Sequence, residues 1–181
     1  MRIDLPNPEN FAKIFEQALG SQLKTEIKGI VTDSREVQPG DLYIAIEGER
    51  VDGHVFLKNV FGNGAACALV NKIDENVDGV QIVVKDPVKA IADVSTAWRE
   101  QFSLPVIGIT GSNGKTSTKE LLKHILSTQF IVHATEGNFN TSIGLPLTIL
   151  QLTGEHSASI VEMGANQPGD IKDLGEIARP T

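Results

Sequence analysis

The segment VIGITGSNGKTSTKELL, residues 106–122, restricts this chain more than any other stretch. An apolar run stops at a polar turn with glycines, a Lys-Thr pair follows, and an amphipathic helix begins. A polyphosphate has to be met by backbone N–H groups converging from a tight loop, with a helix N-terminus behind them. Gly111 and Gly114 permit close approach and positive φ, Lys115 brings a charge for the outer phosphates, and Thr116 offers Mg2+ a hydroxyl. The widespread pattern G-x-x-x-x-G-K-[ST] has a glycine where this chain has Ile109. The bland alternative is a glycine turn whose lysine points into solvent. The strand before the turn and the helix after it favour a phosphate cradle with a variant loop.

The surroundings predict a parallel sheet. After the strand LPVIGIT come a helix over 114–127 with Leu121, Leu122, Ile125 and Leu126 on one face, and a strand FIVHAT. A helix over 145–152, a strand SASIVEMG and a helix over 168–178 follow. Alternating strands and helices with continuously apolar strands indicate a doubly wound, mostly parallel architecture. Ligands of such sheets bind outside the carboxyl ends of the strands. TEGNFNTSIGLP and EMGANQPGD leave two of those ends, and Glu162 emerges where a carboxylate could share a nucleotide's Mg2+. Its alternative is an ordinary strand-end surface residue.

Upstream, NPENFAKIFEQALG predicts a helix capped by Asn7, with Pro8 in the first turn and Gly20 past the end. Strands EIKGIVTDS and DLYIAIEG flank a turn at Pro39-Gly40. A short helix HVFLKNVFGNG and strands AACALV and VQIVV complete a small α/β unit. The expected division is residues 1–84, then 85–181, with the helix DPVKAIADVSTAWREQF starting the second unit and Trp98 in its core. The second unit has three strands and stops after a helix, so the chain is expected to be the N-terminal part of a longer protein.

Composition excludes rather than identifies. A net charge of −7 and no basic run argue against a nucleic-acid surface. No stretch approaches the roughly 18–20 apolar residues of a membrane span. No secretory leader is visible at MRIDLPNPENF, and the lone Cys67 lies in a buried-strand pattern, which together suit a cytoplasmic protein.

TGSNGKTSTKELL resembles the nucleotide loop of the Mur ligases, whose form T-G-[ST]-N-G-K-[ST] does without the glycine replaced by Ile109. EGNFNTSIGLPLTIL and VEMGANQPGDI are similar to the branch that adds D-alanyl-D-alanine to UDP-N-acetylmuramoyl-tripeptide. TDSREVQPGDLYIAIEGERVDGHVF resembles a uridine-nucleotide-binding part of the family. The resemblance implies a small N-terminal substrate domain followed by the first part of a P-loop ATPase domain, with the C-terminal domain absent. It also implies ATP-driven amide formation in peptidoglycan precursor synthesis, through an acyl phosphate. The 181 residues alone would be inactive, and the protein would be a monomer acting on small molecules.

By the same resemblance, Gly111, Ser112, Asn113, Gly114, Lys115, Thr116 and Ser117 wrap the ATP phosphates. Thr116 and Glu162 hold Mg2+, and Lys115 and Glu162 are the catalytic residues. Asn138, Asn140 and Thr141 lie near the muramoyl group or the phosphate channel. Ser34, Glu49, Arg50, Asp52 and His54 approach the uridine diphosphate, while Asp33 and Arg35 shape their loop. The alternative for TDSR is a plain turn, and for His54 a surface histidine at a helix start. His124 reads as surface or packing, and His133 and His156 carry no motif. Open alternatives are another Mur-type or folylpolyglutamate-type ligase, a phosphate-loop switch or transport ATPase, and a non-catalytic nucleotide-binding module.

Overall fold

The computed structural model describes residues 1–48 and 51–181. They cluster into two compact units, Met1–Val94 and Ser95–Thr181. Among the described residues, no helix is long and apolar enough to cross a membrane.

The first unit is a five-stranded sheet in sequential order: β1 (Arg2–Asp4), β2 (Gly29–Val31), β3 (Asp41–Ile44), β4 (Cys67–Val70) and β5 (Gln81–Val83). β1 runs antiparallel to β2, and the remaining pairs are parallel. β2, β3 and β4 are buried throughout, as parallel strands covered on both faces must be. Val31, Tyr43, Ala45, Ala68 and Val70 pack with Leu57 and Val60 of α2 (Leu57–Gly62). α1 (Pro8–Leu19) follows its caps closely: Asn7 accepts from the Asn10 N–H, and Gly20 closes the helix at φ 67°.

β1 was not expected from its sequence. Arg2 holds it in place through Nε and Nη2, which donate to the buried Asp41 carboxylate at 2.8 and 3.0 Å. The pair passes over Gly29, where a Cβ would fall 2.6 Å from Asp41 Oδ1 and from the Ile3 carbonyl. Cys67 is buried and free, and burial pushes its thiol up to about 12, so it is inert packing.

α3 (Pro87–Arg99) carries the division between the units, with Val94 the last residue of the first and Ser95 the first of the second. In the second unit the Trp98 indole is buried and donates to the Leu152 carbonyl at 3.1 Å. Arg99 is buried too, donating to the carbonyls of Ala178, Phe102 and Arg179. It thereby ties the end of α3 to the end of α6 (Asp170–Ala178).

The second sheet is parallel, in the order β6 (Val106–Ile109), β8 (Ala158–Glu162), β7 (Val132–Ala134). β8 is central and buried along its whole length. α4 (Lys115–Leu126) connects β6 to β7, and α5 (Gly144–Leu150) connects β7 to β8. Every residue of α5 is buried. A Cβ at Gly144 would run into the Phe139 backbone, so the loop before α5 is packed tightly onto it. Because the strands are parallel, the loops after β6, β7 and β8 all leave the same edge of the sheet.

α4 turns a different face inward from the one its leucines suggest. Leu121 and Ile125 are 66% and 63% exposed, Leu122 and Leu126 are half-buried, and Lys119 is the buried residue. At 100° per residue, positions 121, 122, 125 and 126 span too wide an arc for all to point one way. The inward line runs through Lys115, Lys119, Leu122 and Leu126.

Candidate functional site

The loop between β6 and α4 has the conformation its glycines allow. Gly111 and Gly114 take φ of 148° and 78°, regions that side chains other than glycine rarely adopt. Gly114 ends the loop, and no side chain caps the start of α4. The first turn therefore presents N–H groups and the positive end of the helix dipole to whatever lies above it. Gly111, Ser112, Asn113, Gly114, Thr116 and Ser117 are exposed. Lys115 folds back so that Nζ donates to the Gly111 carbonyl at 2.8 Å.

The end of β8 lies beside this turn. Glu162 is 2% exposed, and both carboxylate oxygens accept hydrogen bonds. Thr116 Oγ1 donates to Oε2 at 2.9 Å, and Asn140 Nδ2 donates to Oε1 at 2.7 Å. The Glu162 N–H donates to Thr135 Oγ1 at 2.9 Å. Asn140 is held in turn by its backbone, whose carbonyl accepts from the Gly164 N–H at 2.7 Å. The side chains around the carboxylate are neutral donors, and among the described residues no ion pair reaches Glu162. A buried carboxylate with only neutral partners is costly unless a cation completes it.

Lys115, Thr116, Asn140 and Glu162 thus meet at one edge of the sheet, as expected from the carboxyl ends of parallel strands. Asn140 occupies Glu162, a contact that the sequence pattern did not suggest. Thr141 works locally: its carbonyl accepts from the Leu145 N–H and its Oγ1 from the Gly144 N–H, at the start of α5. Asn138 is exposed in the same loop. Lys119 was missed altogether, because a lysine inside an apolar pattern reads as a solvent-facing residue.

Two cavities lined by described residues lie in the first unit. One, of about 530 Å3, is lined by Thr32, Asp33, Ser34, Arg35, Tyr43 and Gly53, among others. Asp33 accepts from Arg35 at its backbone N–H, Nε and Nη2, which shapes the loop and holds its carboxyl well below the usual range. The Tyr43 hydroxyl donates to the Gly53 carbonyl at 3.1 Å, and burial raises its pKa to about 12.

The second cavity, of about 440 Å3, is lined by Asp52, His54, Lys72 and Asp74, among others. Asp52 caps the 3-10 turn Gly53–Phe56 by accepting from the His54 N–H at 2.9 Å. That backbone bond leads the causes that hold its carboxyl low, with the His54 ring and Lys72 adding to it. His54 is buried: its Nδ1 lies 2.5 Å from Asp52 Oδ1, and its Nε2 accepts from the Asn71 N–H at 3.2 Å. Ser34 therefore lies at one cavity and Asp52 with His54 at the other. Glu49 and Arg50 fall outside the described residues.

His124 is exposed on α4. His133 is buried against Ser159, with Nδ1 2.9 Å from Oγ, and meets His156 edge-on at 5.2 Å. Burial, then the charge of His156, pulls the His133 imidazole down to about 4. Both histidines are packing elements.

Comparison with known proteins matches two successive segments of the chain. Residues 26–103 match the "Mur ligase family, catalytic domain" and residues 109–181 the "Mur ligase middle domain". The chain is 40% identical over 157 residues to the UDP-N-acetylmuramoyl-tripeptide–D-alanyl-D-alanine ligase of Synechocystis sp., covering 86% of this chain and 35% of the relative. The corresponding Bacillus subtilis ligase is 39% identical over 159 residues, with 87% and 35% covered. Among solved structures, MurF from Acinetobacter baumannii superposes with a TM-score of 0.86 at 38% identity, covering 93% of this chain and 39% of that one. MurF ligase from Thermotoga maritima in complex with ADP gives 0.76 at 39% identity, with 83% and 35% covered. The chain spans about a third of the length of the curated relatives it matches. With two adjacent Mur ligase segments matched in order, and relatives that carry both, the chain belongs to the Mur ligase family.

Proposed function

We propose that this chain is the nucleotide-binding front portion of a ligase that joins D-alanyl-D-alanine to UDP-N-acetylmuramoyl-tripeptide at the expense of ATP. The observation that carries the reading is the 2.9 Å pairing of Thr116 with Glu162 beside an uncapped helix start and a glycine loop. The residues fit a magnesium ion, which keeps much of its water and takes few protein ligands besides phosphate oxygens. Thr116 and Glu162 would hold it, and it would supply neutralisation of phosphate charge.

A carboxylate is a poor electrophile, and amide formation in water is uphill. In the proposed reaction a carboxylate oxygen of the tripeptide takes the γ-phosphoryl group of ATP, releasing ADP and giving an acyl phosphate. The amine of D-alanyl-D-alanine attacks the carbonyl carbon and loses a proton, and the tetrahedral intermediate expels inorganic phosphate as the amide forms. The protein's part is positioning and charge neutralisation. The loop N–H groups and Lys115 receive the phosphates, and Lys115 must exchange the Gly111 carbonyl for a phosphate oxygen to do so.

Residues 1–84 would bind the uridine nucleotide, with the cavity at Ser34 as its entry point; the residues from 85 onward would begin the ATP-binding domain. A reaction that consumes ATP belongs in the cytoplasm, which supplies it. The intact ligase should release phosphate only when the UDP-linked tripeptide and D-alanyl-D-alanine are both present. Phosphate release with D-alanyl-D-alanine alone, or no stimulation by D-alanyl-D-alanine when the UDP-linked tripeptide is present, would overturn the assignment.

A further inference from the structure

We propose that Lys119 is a positioning residue of the nucleotide site, holding the end of β7 so that Glu162 faces Thr116 in the arrangement a divalent cation needs. The inference rests on the nucleotide reading above. Lys119 is 2% exposed, yet it lies on a helix with two exposed apolar residues. Its Nζ donates to the Thr135 carbonyl at 2.6 Å and pairs with the exposed Glu120 at 3.0 Å. Burying an ammonium group costs free energy that an apolar side chain in the same slot would not incur. What the charge provides is a fixed strand end.

The bonds form a closed circuit. Lys119 holds the Thr135 carbonyl, and the Thr135 N–H donates to the Ile160 carbonyl at 3.0 Å. Thr135 Oγ1 accepts from the Glu162 N–H, and the Glu162 carboxylate accepts from Thr116. Thr116 precedes Lys119 by three residues on α4, so both ends of the circuit are anchored one helical turn apart on one face. A change at Lys119 therefore moves Glu162 relative to Thr116 while leaving the loop N–H groups where they are. Residues that orient metal ligands without touching the metal carry effects of about 10- to 100-fold on metal affinity.

The test is calorimetric binding of ADP to the intact ligase, once with Mg2+ varied and once in excess chelator. Lys119→Met is expected to raise the Mg2+ concentration for half-maximal enhancement about tenfold, leaving the chelator affinity unchanged. Thr135→Val cuts the next link with little change in volume and should give the same shift even if Lys119→Met folds poorly. The double variant should go no further than either, because the two act along one path. An unchanged Mg2+ dependence in a folded variant, or an equal loss with and without Mg2+, would overturn the proposal. Lys115→Ala should instead weaken ADP binding in both conditions. If the unsubstituted ligase bound no ADP, the nucleotide reading would fail and take this inference with it.

Discussion

Thr116 Oγ1 donates to Glu162 Oε2 across 2.9 Å, joining the first turn of α4 to the last residue of β8. The two residues are 46 apart in sequence, and only a parallel sheet with β6 beside β8 brings them together.

Glu162→Gln keeps a side chain of the same shape but removes the charge. Phosphate release by the intact ligase is expected to fall about 100-fold or more, as when a preorganised electrostatic group is lost. Steady-state kinetics at saturating Mg2+ checks it, and near-normal turnover would remove Glu162 from the site.

Lys115→Ala should abolish turnover while leaving stability within about 0.5 kcal/mol, since its one bond lies at the surface. Urea denaturation beside the activity assay separates the two effects. A large loss of stability would mean that Lys115 serves the fold.

Asp41→Ala should destabilise the first unit by about 1–3 kcal/mol, the cost of leaving buried hydrogen-bonding groups without their partner. It would leave Arg2 with its pair to Asp4 at 2.8 Å but remove the acceptor of two of its bonds, and it would strand the Gln38 N–H, which donates to Asp41 Oδ2 at 2.9 Å. The denaturation midpoint measures this.

His133 makes stability depend on pH with a definite sign. Its imidazole titrates near 4 in the folded chain, below its ordinary 6.5, so the unfolded chain binds the extra proton between those values. Stability should fall by roughly 2 kcal/mol from pH 7 to pH 5, go on falling toward pH 4, and level off below it. His133→Phe should flatten that portion of the profile in urea titrations at each pH. A profile of unchanged slope would clear His133 of the effect.

Much of the site could be read in the sequence because its signals are local. Gly111, Gly114, Lys115 and Thr116 are contiguous or nearly so, between a strand and a helix. α1 was legible for the same reason, since Asn7, Pro8 and Gly20 mark its ends chemically. The failures are long-range. β1 is three residues held by an arginine to an aspartate 39 positions away, and no periodicity forms over that length. The inward face of α4 is chosen by Lys119, whose partner Thr135 arrives from a different strand end. The Asn140 amide could not be assigned to Glu162 without knowing that the loops after β7 and β8 are neighbours. His54 shows the same limit: its ring is engaged by Asp52 nearby, but also by the backbone of Asn71, which only the fold brings within reach.

The wholly buried α5, with Gly144 seated against Phe139, makes the two sides of the site mechanically unequal. Asn140 and Glu162 form a hard jaw, because shifting either would mean repacking a helix that has no free surface. The turn from Gly111 to Gly114 is exposed and lacks that backing, which makes it the softer jaw. Accommodation of different nucleotides should therefore be one-sided, a loop folding down onto a fixed anvil.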